Sequence, residues 1–261
     1  MSGRPDDCET CRVHTPGGRP PLPDADPSGW ASRKRQSVRR AASMRAVDAG
    51  LSRPAVLLLD MGGVVIPTLF ESVALPNWPK GPLVEEELYA RVEAGELDER
   101  HYWMRHAAMR GDDVDIASLW RACSYVRDEL RSAMTRLVGR VRIVAFTNDM
   151  RHWFGNDWER KFPEMALFDA IVEARQIGPA KPHPDAYRLA ANAIGERPER
   201  CLFVDDLPVN IDGARAVGMP ARYFDPRDPA KSMQQVLSDL GLADEPSAAR
   251  RTFAVPTRGS L

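Results

Sequence analysis

Apolar and polar positions divide this chain into stretches of three kinds. Over residues 55–59, Ala-Val-Leu-Leu-Leu, every position is apolar, with no polar break and no helical spacing. A run apolar on both faces suits a strand buried in the middle of a parallel sheet. It stops at Asp60, and the glycines at 62 and 63 then let the backbone turn tightly and expose bare N–H groups. Farther along, the spacing becomes helical. Val84, Leu88 and Val92 share one face, and Gly95 ends that helix. Asp98 is placed to cap a second helix over 99–110, Gly111 and the acids after it make a turn, and further helical pattern covers 116–138. The aromatics Tyr89, Trp103 and Trp120 read as core residues.

From Val141 onward short apolar runs alternate with helices. Strands are predicted over 141–146, 170–172, 201–204 and 221–224, with helices over 185–194 and 209–217. Strands separated by helices of this length require crossover connections, hence a parallel sheet. The expected fold is α/β, a parallel Rossmann-like sheet flanked by helices with a helical segment inserted after the first strand. Residues 53–67 and 126–243 form the core domain, 68–125 the helical insert, 1–52 a Pro-, Gly-, Ser- and Arg-rich tail, and 244–261 a second tail.

Composition changes this picture little. The chain has 261 residues, 43% hydrophobic and 28% charged, with a net charge of -1, which describes an ordinary globular protein. Nothing in the charge balance points to nucleic acid as a partner. No run approaches the roughly 18 apolar residues of a membrane span, and the acidic N-terminus lacks a signal-peptide core. Four cysteines, Cys8, Cys11, Cys123 and Cys201, make no disulfide framework in so long a chain, so a cytoplasmic location is expected. Cys8, Cys11 and His14 resemble half a zinc site without a fourth ligand nearby. The basic cluster of Arg33, Lys34, Arg35, Arg39 and Arg40 reads as a solvated tail, and Met44 is an alternative start.

The chemistry gathers at strand ends. Asp60, Thr147, Lys181 and the pair Asp205–Asp206 each fall just beyond a strand or at a helix opening, so a parallel sheet brings them to one edge. A carboxylate can act as nucleophile, a hydroxyl and an ammonium can hold phosphate oxygens, and further carboxylates can hold Mg²⁺. Phe146-Thr147-Asn148, Lys181-Pro182-His183-Pro184 and Val204-Asp205-Asp206-Leu207-Pro208-Val209-Asn210 follow in order, then Gly213-Ala214-Arg215-Ala216-Val217-Gly218. Together with the Asp60 loop they resemble the haloacid dehalogenase-like hydrolase superfamily. The insert lies where a small helical cap sits in the subgroup typified by the phosphatase domain of soluble epoxide hydrolase. The resemblance implies that Asp60 attacks phosphorus and forms an aspartyl-phosphate on a small phosphorylated substrate. It implies that the amides of Met61 and Gly62, with Thr147 and Asn148, hold phosphoryl oxygens while Lys181 neutralises charge. Mg²⁺ would be held by Asp60, the carbonyl of Gly62 and Asp206, with Asp205 and Asn210 in support.

One position departs from the resemblance. Phosphatases of the superfamily usually carry a second Asp two residues after the nucleophile, and here Gly62 stands there. Such acid–base help is worth about 100- to 10,000-fold in rate. Four readings stay open: a phosphatase for substrates with good leaving groups; an acid supplied by Asp149, His152, Glu71, His101 or His106; a binding or regulatory protein without turnover; and dehalogenase or phosphonatase chemistry. The retained acidic pair disfavours dehalogenation, and Lys80 is the sole lysine of the insert that a phosphonatase could use. Trp78, Tyr102 and Trp103 read as core rather than lid aromatics.

Overall fold

The computed structural model describes residues 53–84, 86–110 and 115–243. The tails, the half zinc site, the basic cluster and the Gly111 turn lie outside the described residues.

Five strands form one parallel sheet: β1 (Val56–Leu59), β2 (Arg142–Thr147), β3 (Ala170–Glu173), β4 (Cys201–Asp205) and β5 (Ala221–Tyr223), in the order β3-β2-β1-β4-β5. The uniformly apolar run is β1, central and fully buried, with Leu58 registered between Val144 and Phe203. Side chains alternate between the faces with the two-residue period of a strand. Leu57, Leu59, Ile143, Ala145, Leu202 and Val204 join one apolar cluster, whereas Val56, Leu58, Val144, Phe146, Cys201 and Phe203 join another.

The second cluster is closed by α8 (Pro184–Ala193) and α9 (Pro208–Arg215), through Ala186, Tyr187, Ala190, Ile211 and Ala214. The first is larger. It takes in α5 (Asp128–Leu137) and α10 (Pro229–Asp239), and also the helices between β1 and β2: α1 (Leu69–Ser72), α2 (Glu87–Glu93), α3 (Glu99–Arg110) and α4 (Ile116–Cys123). Phe70, Tyr89, Tyr102 and Trp103 pack there with ring centroids 4.8–5.8 Å apart, and Trp78 stacks on Trp103 at 5.7 Å. All five rings are buried, as the sequence led us to expect for Trp78, Tyr89, Tyr102 and Trp103. Two short helices, α6 (Met150–Phe154) and α7 (Ala174–Ile177), follow β2 and β3.

Two sequence expectations need correction. Val84 is 55% exposed and precedes α2, which begins only at Glu87, so the buried face of that helix is Tyr89 and Val92 with Leu88 at its margin. The helical pattern over 116–138 is two helices, because the chain breaks before Asp128 to turn Arg127 inward. Its N–H donates to the carbonyl of Val65 (3.0 Å) and its guanidinium to that of Gly63 (2.9 Å).

Candidate active site

All parallel strands point one way, so β1, β2 and β4 deliver Asp60, Thr147 and Asp205 to the same edge. Asp60 stays tied to the sheet, its N–H donating to Val204 O at 3.0 Å. The chain then curls, with Val65 N–H on Asp60 O (3.3 Å) and Ile66 N–H on Met61 O (2.8 Å). Gly63 sits at φ +77°, and a Cβ there would fall 2.0 Å from Asp206 Oδ2, so this position needs glycine twice over. Arg127 grips the loop from behind, forking onto Glu71 (2.8 and 2.7 Å) while it holds the Gly63 carbonyl.

Lys181 is the hub. Its Nζ donates to Asp60 Oδ1 (2.8 Å), Asp205 Oδ2 (2.7 Å) and the Phe146 carbonyl (3.1 Å), which uses all three N–H bonds. The rings of Phe146 and Phe203 flank it at 5.2 and 5.1 Å. Its backbone is fixed by Asn148, whose Oδ1 accepts from Lys181 N–H at 2.8 Å. Burial alone would lower the ammonium's pKa, but Asp205 and Asp60 together hold it well above the ordinary value. Asp205 is saturated, its other oxygen accepting from Leu207 N–H (2.9 Å) and Asn210 Nδ2 (3.0 Å).

Asp206 is the contrast. It is buried and its carboxylate makes no hydrogen bond or ion pair among the described residues. Burial, then the charges of Asp205 and Asp60, push its pKa well above the usual carboxylate range. Asp60 is pushed up to about 6 by burial, with Lys181 opposing. Carboxylate oxygens of Asp60, Asp205 and Asp206 lie within 4.8 Å of one another. Three hard oxygen donors with one ammonium leave a surplus of negative charge, and that donor set fits Mg²⁺. Thr147 is buried at the end of β2, and the Met61 N–H supports the Asp60 carboxylate. Asp60, Lys181, Asp205 and Asp206 are therefore brought together, with Asn148 bonded to the Lys181 backbone and Thr147 at the same sheet edge.

The candidate acids fare differently. Glu71 is committed to Arg127 and to the Thr68 N–H (2.8 Å). His106 pairs with Glu86 at 3.1 Å, His101 with Asp98 at 3.6 Å, and His152 is exposed. Asp149 is held by Arg100 and, at 3.4 Å, by Arg175. At position 62 there is little space to spare: a Cβ would stand 3.3 Å from Cζ2 of the Trp120 indole, whose buried Nε1 has no partner. One residue the sequence reading missed is Glu99. Burial pushes its pKa up to about 7, with the charge of Asp60 the next cause and the Trp103 side chain opposing. Its signal was weak, an acid in a helix's first turn.

A parallel sheet flanked by helices, with a buried lysine and three carboxylates gathered at its C-terminal edge, defines an α/β protein with its charged groups concentrated where such folds bind ligands. The chain belongs to the haloacid dehalogenase-like hydrolases, whose family model matches residues 54–218. It is 29% identical over 197 residues to flavin mononucleotide hydrolase 1 of Arabidopsis thaliana, covering 72% of this chain and 78% of that protein. A shorter match, 42% over 59 residues, is to phosphatase MT3486 of Mycobacterium tuberculosis; it covers 23% of this chain and only 27% of that protein. The solved L-2-haloacid dehalogenase RSc1362 shares the fold, with a TM-score of 0.52 at 16% identity over 73% of this chain and all of that one. Among the described residues no helix is long and apolar enough to cross a membrane.

Proposed function

We propose that this hydrolase is a Mg²⁺-dependent phosphatase of small phosphorylated metabolites, acting through an aspartyl-phosphate on Asp60. The observation that carries the reading is the division of labour in the acid pair. Asp205 spends both oxygens on Lys181, Leu207 and Asn210, whereas Asp206 is left unpaired beside Asp60. A site that needed only a nucleophile and a cation would have no use for a second buried carboxylate, whose desolvation costs several kcal/mol unless something compensates it. Asp60, Asp206 and the Gly62 carbonyl would hold the ion, which lends positive charge to a bound phosphoryl group. Lys181 keeps Asp60 aimed and offsets charge on the transferring oxygens; Thr147 and the amides of Met61, Gly62 and Asn148 hold the others. Residues 68–125 act as the cap over this edge. Two relatives with phosphatase or nucleotide-hydrolase names agree with this reading.

A panel of phosphate esters assayed with and without Mg²⁺ tests it. Release of phosphate is expected only with the ion, and Asp60→Asn is expected to abolish it. No Mg²⁺-dependent release from any ester refutes the reading. The tight approach of Trp120 to Gly62 favours one second reading, a phosphate-binding protein without turnover. A stable fluoroberyllate adduct on Asp60 in a protein that never turns over would select it.

A further inference from the structure

Transfer of a phosphoryl group from an ordinary alcohol leaves an alkoxide, which needs a proton as the P–O bond breaks. Lys181 and position 62, the sheet-edge positions beside Asp60 outside the proposed cation ligands, cannot give one. Lys181 has all its N–H bonds engaged, position 62 has no side chain, and Trp120 closes the space beside it. The opposite wall is the first turn of α3. It and the turn leading into it are held at three points. Gly95 packs on Val209, where a Cβ would stand 2.8 Å from Cγ2, just beyond the Asp205–Asp206 pair. Asp98 pairs with Arg175 at 3.2 Å, and Arg100 pairs with Asp149, two residues past Thr147. Glu99 lies between the last two anchors, so it is clamped at the edge that carries Asp60.

We propose that Glu99 is the proton donor and acceptor of the reaction, supplied from the helical insert in place of a side chain at position 62. This rests on the phosphatase reading. In the first step an Asp60 oxygen bonds to phosphorus, the ester P–O bond breaks, and the Glu99 carboxyl proton passes to the departing oxygen to give the alcohol. In the second, the Glu99 carboxylate takes a proton from water, the water oxygen bonds to phosphorus, and the Asp60–phosphorus bond breaks. Inorganic phosphate leaves, with Asp60 ionised and Glu99 protonated again, so no further reactant is needed.

The electrostatics agree with the geometry. The charges of Asp60, Asp205 and Asp206 of the sheet edge and of Asp149 after β2 act on Glu99, as do Tyr89 of α2 and Tyr102 and Trp103 of its own helix. The cations of that edge, Lys181, Arg100 and Arg175, are engaged by Asp60, Asp205, Asp149 and Asp98. Burial among carboxylates keeps the Glu99 proton on up to about pH 7, where a general acid works best. A donor of this kind extends the substrate class from activated phosphates to esters of unactivated alcohols.

The test compares wild type, Glu99→Gln and Glu99→Asp, each with Mg²⁺, on a sugar phosphate and on dinitrophenyl phosphate. For Glu99→Gln we expect kcat on the sugar phosphate to fall about 100- to 10,000-fold with KM little changed. Its first turnover of dinitrophenyl phosphate, whose leaving group needs no proton, should stay within about threefold of wild type, followed by slow breakdown of the aspartyl-phosphate. Glu99→Asp should recover part of kcat, and the alkaline limb of the wild-type kcat profile near pH 7 should vanish in Glu99→Gln. Unchanged kcat, or an equal loss on both esters with a raised KM, overturns the inference while the phosphatase reading stands. A wild type inactive on both esters fails the phosphatase reading, and the inference falls with it.

Discussion

The two walls of the site are built on different terms. The sheet edge is over-determined: Lys181 bonds two carboxylates and a carbonyl, Asp205 takes three donors, and Arg127 ties the nucleophile loop to Glu71. The helical wall is held by packing of large rings and by half-exposed ion pairs such as Asp98–Arg175; Trp120 Nε1 and Arg100 Nε have no partner there, while at the sheet edge Arg127 Nε and the Asp206 carboxylate have none among the described residues. A saturated network rigidifies what it holds, because each member would be costly to strand. On the proposed function, fixed chemistry belongs to the sheet edge and selectivity to the helices.

Breaking the saturated wall gives the largest effects. Lys181→Met strands Asp60 and Asp205 without their shared cation, and we expect a loss of about 3–5 kcal/mol in stability together with loss of turnover. Denaturant melts and phosphate release would measure both. If stability is unchanged, the wall is less determined than its bonds imply. Gly63→Ala is next: it strains a positive φ and drives a methyl into the Asp206 carboxylate. Mg²⁺ affinity, read by calorimetry, should weaken about 10- to 100-fold. The smallest effect probes the helical wall through pH. Folding raises the Glu99 pKa from 4.5 to about 7, so the unfolded chain loses that proton first and the native state loses stability as pH rises across this window. Wild type should therefore lose ground relative to Glu99→Gln between those pH values, as seen in melting temperatures across pH. Parallel curves would mean that Glu99 is solvated like an ordinary surface acid.

The same division sets what could be read from sequence. Strand ends announce themselves locally: an apolar run followed by Asp60, another followed by Thr147, a third followed by Asp205 and Asp206. Parallel topology alone then gathers them, without any knowledge of side-chain packing. The helical wall offered no such rule. Arg127 broke the expected helix to reach Glu71, 56 residues away, and Gly63, 64 away, partners that no periodicity reveals. Asp98 was legible as a cap, and its carboxylate does accept the Arg100 N–H at 3.0 Å. Its neighbour Glu99 looked like an ordinary first-turn acid, since nothing local announces that α3 docks against Asp149 and Arg175. Val84 failed for the opposite reason, an apolar residue with helical spacing that lies before the helix begins.

The apolar cluster that runs unbroken from Leu57 and Leu59 on one sheet face to Tyr102 and Trp103 has an evolutionary consequence. The helices between β1 and β2 share their interior with the scaffold, so they cannot be exchanged as a cassette without reopening one side of the sheet. On the proposed function, new substrates would be reached by point changes on the inner surface of that wall, while transplanting a foreign wall would first have to solve a folding problem.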